Sequence, residues 1–286
     1  MGTQTFDPID YKAGQRRDWT RAAASWRKWW KPLEAAFTPV GDRLIQLAAI
    51  QSGHHVLDLA TGIGEPALAA ARLVGPGGQV VGTDISPGML EVARERAAEL
   101  GLDNVEFLEM DAEEQDLPER SFNAALCRFG LMFLPNVDRA LEGVRRLLLP
   151  GGRFAASVWG PPERVPMNSV TVAALARVLE LPPPASGTPG LFSLADADAL
   201  AGRFRAAGFA DVQTETLLVR AEFESLQEYI LFLREVAAPI QNLLAGERPE
   251  RRSEVWHAVT EANEQFVGAD GALHLTGESI LVAGRR

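Results

Sequence analysis

Apolar and polar positions along the chain fall into two alternating rhythms. Short runs rich in Val, Leu, Ile and Ala stand at Val56–Ala60, Val80–Asp84, Val105–Asp111, Phe122–Arg128 and Arg153–Trp159. Bounded by Gly, Asp or Pro, such runs read as strands. The segments between them begin near Glu65, Pro87 and Val137 and carry apolar residues at helical spacing. Pro66 suits a helix first turn, where a missing N–H costs little, and Ser86 ahead of Pro87 suits a cap. The connection around Glu113–Asp116 reads as a short or irregular crossover. Strand and helix in alternation imply a mostly parallel sheet covered on both faces.

The rhythm changes after Trp159. Leu181–Gly190 is rich in Pro and Gly and reads as a stiff linker without helix. A helix over Ala195–Ala207 stops at Gly208 and feeds a strand, Asp211–Val219, while Gly271–Gly284 alternates enough to be the last strand. Two segments lie outside this core. Asp10–Ile50 is expected to form two or more helices, and Phe223–Val267 two more, Ser225–Ala245 and Pro249–Phe266, broken at Gly246. The expected organisation is a helical cap over 1–50, a cofactor-binding core over 51–160, linker, helix and sixth strand over 161–222, a helical lid over 223–268 and the last strand over 269–286.

The chemistry concentrates at Val56-Leu-Asp58-Leu-Ala60-Thr61-Gly62-Ile-Gly64-Glu-Pro66, where a strand runs into a glycine loop that opens a helix. Such a turn brings backbone N–H groups close to a ligand, and an acid about twenty residues on holds a ribose. Asp84, at the end of the second strand, fits that acid. By spacing alone, Gly62-Ile-Gly64-Glu-Pro-Ala67 also fits the dinucleotide fingerprint of an NAD-type oxidoreductase. Asp58 argues against that, because a carboxylate in the loop repels a pyrophosphate but accepts an ammonium or a sulfonium.

Asp58-Leu-Ala60-Thr61-Gly62-Ile-Gly64 resembles the first motif of class I S-adenosylmethionine-dependent methyltransferases, with Ala60 where the commonest form has glycine. The resemblance continues through Gly82-Thr-Asp84-Ile85-Ser-Pro-Gly-Met89, Glu109-Met-Asp111-Ala112, Phe122–Met132 with Arg128 at the strand end, and Leu149-Pro-Gly-Gly-Arg153. It covers roughly 56–159, and the nearest kin look like ubiquinone/menaquinone-biosynthesis-type and related small-molecule methyltransferases. The resemblance implies a doubly wound, seven-stranded, mostly parallel sheet with an antiparallel last strand, a Rossmann-like methyltransferase fold, here under a helical lid. It implies S-adenosylmethionine as cofactor and S-adenosylhomocysteine as product. It places Asp58, Ala60, Thr61, Gly62 and Gly64 at the loop, and Asp84, Ile85 and Met89 at the ribose and adenine. Asp111 and Ala112 fall at the adenine amino group, and Arg128 beside the cofactor. The acceptor implied by the apolar Phe129–Leu134 and the lid is small and largely apolar, methylated on oxygen or carbon. A non-catalytic S-adenosylmethionine-binding regulator shares the same signature.

Composition agrees with a globular enzyme: 286 residues, 47% hydrophobic, 23% charged. A net charge of -10 argues against a nucleic-acid partner. One cysteine, Cys127, and polar first residues without a leader or a myristoylation pattern fit the cytoplasm. No metal site is expected: the region after the fourth strand lacks the acids of magnesium-dependent catechol-type enzymes, and thiol-based arsenic methylation needs more cysteines. Trp19, Trp26, Trp30, Leu33 and Phe37 recur at helical spacing, with Pro32 an interruption. The expected role of this stripe is packing and a share of the cofactor lid, with a weak membrane-surface contact as the alternative. Of the histidines only His257 has a route to the substrate, as a weak candidate base. The expected assembly is a monomer or a homodimer.

Overall fold

The computed structural model describes residues 6–185 and 187–286, without the side chains of residues 238 and 239. The readings made on the first five residues and on Ser186 lie outside it. One sheet runs through the molecule in the order β3-β2-β1-β4-β5-β7-β6. Its strands are β1 (His55–Leu59), β2 (Gln79–Asp84), β3 (Val105–Glu109), β4 (Phe122–Arg128), β5 (Leu148–Trp159), β6 (Ala210–Phe223) and β7 (Leu273–Arg285). Strand β7 is antiparallel to both β5 and β6, and the pairings from β3 through β5 are all parallel. The chain reverses its direction of travel across the sheet between β1 and β4. That switch point is where a doubly wound sheet opens a crevice at its carboxyl edge.

The helices are α1 (Pro8–Lys28), α2 (Trp30–Leu47), α3 (Ala67–Val74), α4 (Pro87–Glu99), α5 (Val137–Leu147), α6 (Pro166–Leu179), α7 (Ala197–Ala206), α8 (Leu226–Val236), α9 (Ala238–Ala245) and α10 (Pro249–Asn263). Ser86 caps α4 by accepting from the Met89 N–H at 3.2 Å, as its sequence position implies. No helix joins β3 to β4; the chain crosses in turns through Glu113–Asp116.

Several expected boundaries shift. The sixth strand runs on to Phe223 and the fifth begins at Leu148, because each pairs beyond its apolar stretch. Helix α3 starts at Ala67, with Pro66 as its N-cap residue rather than inside the first turn. The segment read as one helix to Ala245 divides at Ala237. Pro239 falls just after that division: a proline has no N–H for a carbonyl four residues earlier, so a continuous helix loses a bond at Glu235. Gln241 Nε2 donates instead to the carbonyls of Arg234 and Glu235, at 2.7 and 3.2 Å.

The tryptophan stripe likewise lies on two helices. In one continuous helix Pro32 would leave the Lys28 carbonyl without its donor, so the chain breaks at Trp29 and Pro32 falls in the first turn of α2. The two helices then do different work. Helix α1 lies against α4, α8 and α9. Helix α2, expected as part of a cap, packs across β4, β5, β7 and β6 and touches α3. Val40 and Leu44 are fully buried there, with Leu33, Ala36 and Leu47 nearly so. Without α2, the apolar face of the β5–β7–β6 half of the sheet would lie open to water, which is why this helix belongs to the core.

Leu44→Ala should therefore lower the unfolding free energy by about 3 kcal/mol, in the range of a large-to-small core substitution. Urea denaturation measures it; a loss below about 1 kcal/mol would mean that α2 is a loosely docked cover.

Candidate functional site

The glycine loop leaves β1 at the carboxyl edge beside the switch point. Ala60, Gly62 and Gly64 all take left-handed backbone, with φ of 52°, 56° and 102°. Two are glycines, for which this costs little; Ala60 pays for its methyl group roughly 1–2 kcal/mol. The methyl has a counterpart. A Cβ on Gly130 would lie 2.6 Å from the Ala60 Cβ and 2.8 Å from Cys127 Sγ, so the glycine at the end of β4 makes room for an alanine at the end of β1.

Asp58 is fully buried beneath this loop. Its Oδ2 accepts from Thr61 Oγ1 at 2.6 Å and from the Ala67 N–H at 3.1 Å, tying strand, loop and helix together. Its Oδ1 has no partner. Burial pushes the carboxyl up to about 7, against the opposing hydrogen bonds and the field of Arg128. An unpartnered buried oxygen is costly, and a cationic donor at that point would satisfy it.

Asp84, at the end of β2, holds the other side of the loop. Its Oδ2 accepts from the Gly62 N–H and its Oδ1 from the Ser86 N–H, both at 2.9 Å. It therefore fixes the loop and the start of α4 together. A carboxylate has about four acceptor sites, so two remain for a ligand. Burial raises it to about 6. Ile85 follows half-buried, and Met89 is buried in the first turn of α4.

Asp111 lies beyond the end of β3. Its Oδ1 accepts from the Glu113 N–H at 2.9 Å, and its Oδ2 takes the Lys12 ammonium of α1 at 2.7 Å. Lys12 also reaches Glu113 at 2.5 Å, and Arg16 one turn on reaches Glu109 at 2.6 Å. Ala112 is buried, and its carbonyl accepts from Gln115. The same helix touches α4 through Thr20 Oγ1 and Ser86 Oγ, 3.0 Å apart. Helix α1 thus spans the carboxyl ends of β2 and β3, where Asp84 and Asp111 stand. Sequence reasoning gave no hint of Lys12 or Thr20, since neither belongs to a motif.

Arg128 is half-buried at the end of β4. Its Nη1 donates to the Phe37 carbonyl at 3.3 Å, and its guanidinium faces the rings of Trp30 and Phe37 at 6.0 and 5.6 Å. Around it gather Phe37, Phe129 and Trp159, the last two stacked at 4.3 Å. Trp19 meets Trp26 at 6.1 Å and Phe133 at 5.9 Å. Trp29 packs on Phe223 and Phe232 and is buried with Trp30, while Trp19 and Trp26 are half-buried.

The histidine expectation fails. His257 points outward from α10, which buries Val255, Ala258 and Val259 on its other side. His274 is solvated beside Asp270, at 3.2 Å. Helical position alone gave His257 its candidacy, and the burial pattern of its own helix removes it.

A glycine loop at a switch point, with one buried acid beneath it and another opposite, defines a nucleoside-cofactor domain of the α/β class. Residues 50–177, under half of the chain, match the family described as a methyltransferase domain. The chain is 40% identical over 119 residues to the ubiquinone/menaquinone biosynthesis C-methyltransferase UbiE of Pseudomonas entomophila (strain L48), covering 41% of this chain and 46% of that protein. It is 42% identical over 119 residues to the aklanonic acid methyltransferase DauC of Streptomyces sp. (strain C5), covering 42% and 54%. The matched segment thus spans about half the length of these relatives. Among solved structures, the YcgJ protein of Bacillus subtilis shares the fold with a TM-score of 0.60 at 23% identity, over 87% of this chain and 98% of that one.

The raised Asp84 has a consequence for stability. Its folded value of about 6 lies above the unfolded carboxylate value of about 3.9, so the folded state binds the proton more tightly. The stability this provides is full below the unfolded value and is lost as pH rises through the folded one. Asp84→Asn cannot ionise and escapes the loss. The difference in Tm between variant and parent should move in the variant's favour as pH rises from about 4 to about 7. A difference that stays constant across that span would show Asp84 to be no harder to ionise folded than unfolded.

Proposed function

We propose that the whole chain is a metal-independent S-adenosylmethionine-dependent methyltransferase, acting on oxygen or carbon of a small, largely apolar acceptor. The observation that carries this reading is the unpartnered Asp58 Oδ1, buried under the glycine loop. A dinucleotide phosphate would be repelled there, whereas a cationic amino-acid group is attracted, which weighs against an NAD-type oxidoreductase. The names of the two relatives support a small-molecule acceptor.

In this reading Asp84 accepts from the ribose hydroxyls through its two free acceptor sites, and Asp111 from the adenine amino group. Thr61, Gly62 and Gly64 shape the loop, and Ile85, Met89 and Ala112 bound the adenine. The bound cofactor supplies an electrophilic methyl group on a good leaving group. The chain's own residues then have to align the nucleophile and exclude water. Phe37, Phe129, Trp159, Trp19 and Phe133 supply apolar walls at the carboxyl edge, which supports an apolar acceptor. Admission of that acceptor parts rings that lie within 4.3–6.2 Å of one another. Burial of Trp30 and the ring contacts of the half-buried Trp19 and Trp26 support packing over membrane contact as their role, and no nucleic acid is expected as partner. No helix is long and apolar enough to cross a membrane among the described residues; the cytoplasm is the proposed location.

Calorimetric titration with S-adenosylmethionine, S-adenosylhomocysteine and NAD tests the cofactor. Binding of the first two and none of the third is expected; NAD binding with no response to S-adenosylhomocysteine would end the reading. Asp84→Ala should weaken S-adenosylhomocysteine at least roughly tenfold, the loss of charge-assisted hydrogen bonds of about 1.5–3 kcal/mol each. Transfer of a labelled methyl group to apolar phenols or enols separates an enzyme from a binding regulator.

Helix α1 is proposed as the lid, with α8 and α9 behind it. Arg21 and Asp18 of α1 bond to Asn242 of α9, and Lys28 and Trp29 to Glu235 of α8. S-adenosylhomocysteine should slow amide exchange in these helices by more than in α2, which is already fixed in the core. Equal protection of α1 and α2, or protection of the loops alone, would remove the lid assignment.

A further inference from the structure

Trp19, Ala22, Ala23 and Trp26 recur three and four residues apart on α1, and all four pack against the core. Trp19 and Trp26 meet at 6.1 Å, and Trp19 meets Phe133 edge-on at 5.9 Å. Phe133 belongs to the short turn after β4, Leu131–Phe133, so this row of rings begins among the apolar walls at the carboxyl edge. An indole carries one N–H that donates and cannot accept, and a buried one normally finds a partner. Trp19 Nε1 donates to Gln15 Oε1 at 2.9 Å. Trp29 Nε1, at the break after α1, donates to Glu235 Oε2 at 2.7 Å. Trp26 stands between these two along the chain, and its Nε1 is buried with no partner among the described residues.

An unpartnered donor among rings is costly to bury, and a ligand oxygen brought to it removes that cost. We propose that Trp26 Nε1–H holds an oxygen of the methyl acceptor, so that the site takes an apolar ring system bearing a phenol, enol or carbonyl oxygen over one of the same shape without it. The indole only donates, so an amine proton at that point would find no acceptor. It keeps its own proton, so it orients the acceptor oxygen and leaves the electron pair that attacks the methyl group in place. Trp26 is on this account a positioning residue, not an acid or a base. The helix that carries it also sets Lys12 on Asp111 and Thr20 against Ser86, so one element serves both the cofactor side and the acceptor side. This inference rests on the acceptor reading above and names the group on the acceptor that the protein recognises.

Two probes of one shape test it, 2-naphthol and 2-methylnaphthalene. Each is titrated into isotopically labelled protein saturated with S-adenosylhomocysteine, and the indole N–H signals are followed by nuclear magnetic resonance. The Trp26 signal is the one missing from W26F. In the parent protein, 2-naphthol should carry the Trp26 proton signal further downfield than 2-methylnaphthalene does, since both bring the same ring currents and one brings the oxygen. W26F should weaken 2-naphthol at least roughly threefold, the factor of one neutral hydrogen bond, and change 2-methylnaphthalene and S-adenosylhomocysteine by less than about twofold. Should W26F fail to fold, W26Y identifies the signal and the shift difference in the parent decides. No shift difference between the probes, equal weakening of both in W26F, or no binding of 2-naphthol by the parent would overturn the proposal and leave the cofactor reading intact. A loss in W26F confined to S-adenosylhomocysteine would overturn it too, by placing the N–H on the cofactor. Failure of the parent to bind S-adenosylhomocysteine at all would overturn the cofactor reading and this proposal with it.

Discussion

The buried carboxylate of Asp58 is what the site is hung on. One of its oxygens joins the last turn of β1, the glycine loop and the first N–H of α3 into a single unit. Such a group is expensive to bury, and burial holds it near neutrality at about 7. The fold keeps it because half of its bonding capacity does structural work. The other oxygen is left buried without a partner. Asp84 repeats the arrangement on the next strand, with two backbone donors engaged and two acceptor sites left over. Pre-set carboxylates of this kind reorganise little when a ligand arrives, which is how a rigid loop recognises a small molecule.

Around that unit the protein builds its walls from arginine and aromatic rings. Two guanidinium groups lie near Trp30, Arg96 at 4.2 Å and Arg128 at 6.0 Å from its ring, and Arg96 and Glu65 form an ion pair with little solvent contact. A pair so buried contributes little net stability, because desolvation offsets attraction, but it fixes geometry. Here it fixes the start of α3 against α4 and leaves Arg128 the nearby cation with donors to spare. The aromatic cluster at the ends of β4 and β5 excludes water from the same region, which strengthens every charge interaction inside it.

Helix α1 stands apart from this rigid frame. Its contacts with the sheet edge are ion pairs and hydrogen bonds, Lys12 to Asp111, Arg16 to Glu109 and Thr20 to Ser86. The Arg16–Glu109 pair is exposed and of a kind worth little, whereas Lys12 is half-buried between Asp111 and Glu113. Helix α2, joined to it at Trp29, buries Val40 and Leu44 completely. The break at Trp29 separates an element at the sheet edge from one in the core.

The strand and loop sequence carried its own answer. Apolar runs bounded by Gly and Asp placed β1, β2 and β4 to within a residue, since a strand buried on both faces has no alternative to being apolar. The turn at Gly62 and Gly64 was legible from the glycines, and Asp58 and Asp84 from their spacing. The sequence could not tell α2 from α1. Both carry tryptophans at helical spacing, and periodicity reports that a face is apolar without saying what it meets. Only the assembled sheet, with its β5–β7–β6 face in need of cover, made one a core helix and left the other at the edge. Arg128 was placed beside the cofactor by its position at a strand end, and His257 was only a weak candidate base. The packing of α10 through Val255 and Val259 turned the histidine out to water, and the pairing of β4 with β1 turned the arginine in beside Asp58. Local sequence fixes which faces are buried, and tertiary contact alone decides against what.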